Sequence, residues 1–148
     1  MELIEACRYT RRFHAQAGLY TALFDAEPAL ADDMRAGHRD QAARAAAQAG
    51  TDRGVDSTDL KDTEKRRWRD QARQWMRADL DAWNKSITQS TANRAEVRMR
   101  LEDWKQCDEL GGLRESPAYD KLSSDERADC AKLWESVGKL LLRTESAR

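Results

Sequence analysis

Two prolines and seven glycines in 148 residues leave this chain few obligatory breaks, and valine and isoleucine, which favour sheets, are scarce. The balance is rich in Ala, Arg, Asp and Glu, a mixture that favours helix. No Cys-x-x-Cys pair occurs. Cys7, Cys107 and Cys130 are odd in number and far apart, and His14 and His38 are too isolated to form a ligand pair, so no zinc site or other metal site is legible. Free thiols in a reducing compartment are expected. No stretch approaches the roughly 18 apolar residues of a membrane span, and Met1 to Arg12 lack the apolar core of a signal peptide. The expected location is the cytoplasm, without membrane contact. An excess of either charge is missing too: 26 basic residues against 27 acidic ones give a formal net charge of -1. That balance excludes a global field that would recruit nucleic acid or anionic lipid, and leaves only local charge.

What the chain does contain is helical periodicity, on a length suited to one domain over residues 1–148. Ala6, Tyr9, Phe13, Ala17, Tyr20 and Phe24 recur in steps of three and four, predicting a helix from Glu2 to about Ala26 that Pro28 closes. A second helix, about His38 to Ala49, lies between Gly37 and Gly50; its Ala-rich interior predicts close packing between neighbours. Gly50 to Asp59 reads as the main loop. The long central helix, roughly Asp62 to Ile87, follows. It carries Trp68, Ala72, Trp75, Met76, Leu80 and Trp83 on one side. Asn93 is the expected cap of a helix presenting Val97, Leu101 and Trp104 up to Gly111-Gly112. Ser123 and Glu126 form a capping-box pattern ahead of a last helix with Cys130, Leu133, Trp134, Val137, Leu140 and Leu141. Thr144 to Arg148 should fray. The predicted fold is all-α, about five helices with Trp68, Trp75, Trp83, Trp104 and Trp134 in the core. Each buried indole would remove on the order of 200 Å² from water, about 5 kcal/mol before entropy is subtracted.

Candidate chemistry is sparse. His38-Arg39-Asp40 resembles the catalytic-loop tripeptide of protein kinases, but the position of the magnesium-holding Asn is Ala45 and no glycine-rich loop or Asp-Phe-Gly follows. These residues read as the polar start of a helix. Asp52, Asp56, Asp59 and Asp62 form an acidic run, yet an EF-hand counted from Asp52 would need Gly at Ser57 and Glu at Thr63. Loop solvation and helix capping account for them. No serine nucleophile motif is present. Arg66, Arg69, Arg73 and Arg77 form a stripe roughly opposite the tryptophans, the strongest local charge and the expected contact for an acidic protein or peptide. A nucleic-acid or phosphate binder using this stripe is one alternative. Asp79, on the tryptophan face, is expected to be a buried polar tie; an enzyme with a polar pocket around it is the second alternative, short of a partner carboxylate or histidine.

Several ordered blocks carry a resemblance: Ala29-Leu30-Ala31-Asp32-Asp33-Met34-Arg35-Ala36-Gly37-His38-Arg39, the Ala-rich helix ending in Ala49-Gly50, Ala72 to Trp83, and Leu101-Glu102-Asp103-Trp104 through Leu113-Arg114 to Leu133-Trp134. Over about Tyr9 to Leu142 the chain is similar to the C-terminal region of the tetratricopeptide-repeat serine/threonine protein kinases of planctomycetes. Tyr20, Leu23 and Pro28 fit the second helix of such a repeat, and Ala42, Ala43 and Ala46 the small positions of the next first helix. Asp40, Gln41 and Arg44 depart from that pattern. The resemblance implies a tetratricopeptide-like part over 2–50, the loop 51–59 and a capping helical part over 60–144. It also implies a noncatalytic module for protein contact or repeat capping, associated with kinase signalling; no cofactor is expected.

Overall fold

Arg11 takes a left-handed backbone (φ 56), and this splits the expected Glu2–Ala26 helix in two. The structure, a computed structural model, describes residues 1–145 and is all-helical among them. Helix α1 spans Glu2–Tyr9 and α2 spans Phe13–Ala26, with α3 (Pro28–Ala31) starting at the proline and α4 (His38–Ala49) ending where expected. Ile4 and Cys7 are the buried side of α1, whereas Tyr9, expected on the inner face, is 80% exposed. The turn at Thr10–Arg12 rotates α1 relative to α2, so a single wheel drawn through both misplaces Tyr9.

The chain divides into two compact units, the first from Met1 to Met76 and the second from Arg77 onward. A single domain was expected, with its internal junction at 51–59. The boundary between the two units falls inside the long helix α5 (Asp62–Gln89), and the loop at 51–59 lies within the first unit. Both Asp56 carboxylate oxygens accept backbone N–H groups at the start of α2, from His14 (3.1 Å) and Ala15 (2.9 Å). The Val55 N–H donates to the Arg11 carbonyl at 2.9 Å, and Ser57 is fully buried. Gly54 has φ +95, and a Cβ there would stand 2.5 Å from the Arg11 carbonyl oxygen. Only glycine suits both the backbone and the space.

In this first unit α2 packs along α4. Ile4, Tyr20 and Ala42 form a core joined by Leu19, Leu23, Phe24 and Trp75. Ala42, Ala43, Ala45, Ala46, Ala47 and Ala49 are each no more than 1% exposed, as expected for a helix whose small side chains admit close neighbours.

The second unit holds the end of α5, a 3-10 turn at Thr91–Asn93, α6 (Arg94–Gln106), a 3-10 segment at Asp108–Leu113, α7 (Pro117–Asp120) and α8 (Ser124–Glu145). Trp83 and Trp104 meet at its centre with ring centroids 4.8 Å apart. Ser123 Oγ accepts the Glu126 N–H, as the capping pattern predicts. Asn93 does not cap α6 with its side chain; its amide donates to the Ser86 carbonyl. Thr144, expected to fray, is buried and donates to the Leu141 carbonyl, while Ser146 to Arg148 of that expectation lie outside the described residues. No helix among the described residues is long and apolar enough to cross a membrane.

Candidate protein-binding face

The four arginines do not form one surface. Arg66 is exposed and makes no ion pair among the described residues. Arg69 donates to the Gly50 carbonyl at 2.8 Å, satisfying a carbonyl at the end of α4. Arg73 is 2% exposed and paired with Asp70. Arg77, in the second unit, reaches Asp129 of α8 at 2.6 Å. The stripe fails because the buried side of α5 is wide. Arg73 lies about 60° around the helix from Met76 and beside Ala72, both fully buried.

The tryptophans also separate. Trp83 and Trp104 are buried as expected, while Trp68, Trp75 and Trp134 are half-buried at the margins. The Trp68 indole N–H donates to His14 Nδ1 at 2.9 Å, and the Trp134 indole N–H to the Leu113 carbonyl at 2.8 Å. Trp75 stands edge-on to Phe24, with ring centroids 5.8 Å apart. An indole needs a partner for its N–H, which draws it toward polar boundaries. Asp79 is 1% exposed and has a partner within the protein, while its Oδ2 is buried without a hydrogen bond among the described residues.

The kinase-like tripeptide holds the start of α4 together. Arg39 is buried and pairs with Asp32 at 3.0 Å; Asp40 is buried against Arg44 at 3.2 Å. The acidic run is divided among Asp56 on α2 and Asp52 on Lys65 (2.5 Å), and no group of three potential metal ligands occurs among the described residues. Two tethers escaped sequence reasoning. Asp56 acts across about 40 residues of chain, and Arg114 donates to the Trp104 and Cys107 carbonyls at 2.7 and 3.1 Å, closing the end of α6.

A recess lined mainly by apolar side chains lies in the first unit, a groove of about 580 Å³ between α1 and α2. From α1 it takes Leu3, Ala6 and Cys7, with Thr10 just beyond; from α2 it takes Ala15, Gly18 and Leu19, with Arg12 at the entrance. Gly18 faces open space, since a Cβ there would meet nothing within 4 Å. Leu3 is 63% exposed, which extends the apolar surface outward. Tyr20, on the opposite side of α2, has its phenol pKa raised, first by burial and then by the Glu5 carboxylate. Arg12 is the charged side chain among those lining the groove. No protein-family profile, curated protein or solved structure matches this chain.

Proposed function

We propose that this chain is a noncatalytic helical module that binds a protein partner, through the groove between α1 and α2, in the cytoplasmic setting of bacterial kinase signalling. The groove carries the reading: two neighbouring helices leave Leu3, Ala6, Cys7, Ala15, Gly18 and Leu19 lining an open channel. The stacking of α2 on α4 through alanines supports a tetratricopeptide-like arrangement of the first unit, in which α1 and α2 would form one helical pair and α4 would begin the next. The sequence resemblance to kinase tails supplies the setting. The nucleic-acid alternative loses support, because Arg69, Arg73 and Arg77 are spent on bonds inside the protein.

The test is site-directed photocrosslinking in source cells from a photoreactive side chain placed at Ala22, an exposed position on α2. A crosslinked protein should be lost when Gly18→Leu fills the groove, and should persist in Arg66→Glu. The same crosslinks from wild type and Gly18→Leu would overturn the assignment of this face.

A further inference from the structure

The groove also points to the kind of surface that enters it, an inference that rests on the protein-binding reading above. Its walls are two helices whose lining residues follow three- and four-residue spacing, Leu3, Ala6 and Cys7 on one and Ala15, Gly18 and Leu19 on the other. Ridges at this spacing receive the ridge of a third helix. Helix α2 already accepts one such neighbour, since Tyr20 packs in a core with Ala42 of α4. Gly18 lies about 160° around α2 from Tyr20, and its missing side chain leaves room for a second helix to come close. The wall formed by the eight residues of α1 is about 12 Å long, enough for roughly two turns of a partner.

Charge narrows the choice. Arg12 is the charged residue among those lining the groove; it is exposed and makes no ion pair among the described residues. A carboxylate placed there gains a partner, whereas a lysine or arginine meets a like charge. We propose that the groove seats an amphipathic helix of a partner protein, with apolar side chains three and four residues apart and a Glu or Asp set against Arg12.

The probes are fluorescein-labelled peptides of about four helical turns, stapled into helices, with leucines at this spacing and one end carrying Glu, Gln or Lys. Binding to the full chain is read by fluorescence anisotropy. The Glu peptide should bind wild type about two- to fivefold more tightly than the Gln peptide, as for one exposed ion pair, and the Lys peptide should bind most weakly. Arg12→Glu should reverse that order. Gly18→Leu should weaken all three by about tenfold or more by filling the seat. Circular dichroism checks that both variants stay folded. Equal affinity for the Glu and Lys peptides, with loss in Gly18→Leu, would overturn the acidic preference and leave the binding face standing. Binding indifferent to Gly18→Leu, or no binding of any peptide to wild type, would overturn the helix seat; the crosslinking experiment then judges the broader reading separately.

Discussion

Removing the Asp56 carboxylate should release the loop from α2. In Asp56→Ala the N–H groups of His14 and Ala15 lose acceptors now at 3.1 and 2.9 Å. Loss of a helix cap costs about 1 kcal/mol, and loss of a negative charge from a helix N-terminus adds about 0.3–1 kcal/mol. Because two donors are stranded together, we expect a total of about 2 kcal/mol. Asp56→Asn keeps one acceptor oxygen without the charge and should cost about half of that. Urea unfolding followed by circular dichroism gives the global change. Hydrogen exchange of the His14 and Ala15 amides gives the local one, which should be roughly 30-fold faster if exchange follows the stability loss. Gly54→Ala attacks the same connection from the loop side, where the new Cβ would stand 2.5 Å from the Arg11 carbonyl oxygen and 2.6 Å from the Phe13 ring. The double variant should therefore cost less than the sum of the two. A change below about 0.5 kcal/mol for Asp56→Ala, with exchange at His14 and Ala15 unaltered, would refute the Asp56 tether.

Two glycines should respond with opposite sign in thermal unfolding. Gly50→Ala puts a Cβ 2.7 Å from the Lys65 carbonyl oxygen, a backbone atom that cannot step aside, and should destabilise by about 2 kcal/mol; Gly18→Ala enters open space within a helix and should stabilise by about 0.5–1 kcal/mol. Arg73→Ala should be destabilising by about 3 kcal/mol because it leaves a cavity and strips Asp70 of its partner, whereas Arg66→Ala should stay within about 0.5 kcal/mol; comparable values from chemical denaturation would contradict the burial of Arg73. The Tyr20 phenol pKa is raised in the folded protein, so the folded state holds its proton longer than the unfolded chain does. The stability contributed is present below the ordinary phenol value of about 10 and falls as pH rises beyond it. Tyr20→Phe should flatten that alkaline loss in denaturation measured across the range, and an unchanged slope would remove the argument.

How well the sequence could be read varied with the distance over which each feature is set. Helix α4, the Asp62 start of α5 and the Ser123 cap of α8 follow from nearby residues: glycines at the helix ends, apolar spacing and a hydroxyl three residues before an amide. The turn at Arg11 carries no such sign. Its carbonyl is held by Val55, more than forty residues on, and neither Thr10 nor Arg12 is a helix breaker. For the same reason the groove was invisible. It needs α1 and α2 to be separate helices, and the periodicity from Ala6 to Phe24 reads as continuous. The division within α5 was hidden as well, because the residues around Met76 keep an unbroken helical pattern.

By itself the sequence determined that this protein is helical, where most of its helices run, and that Trp83 and Trp104 are buried. Those outcomes depend on residue type and on spacing along one helix. Tertiary structure alone decided which charges remained at the surface. Arg69, Arg73 and Arg77 share a stripe on an isolated helix, but neighbouring chain buries Arg73 beside its own-helix partner Asp70 and gives Arg69 and Arg77 partners at Gly50 and Asp129. Tertiary structure also opened the groove beside Gly18, since an exposed Leu3 and a bare glycine acquire meaning only when two helices stand side by side.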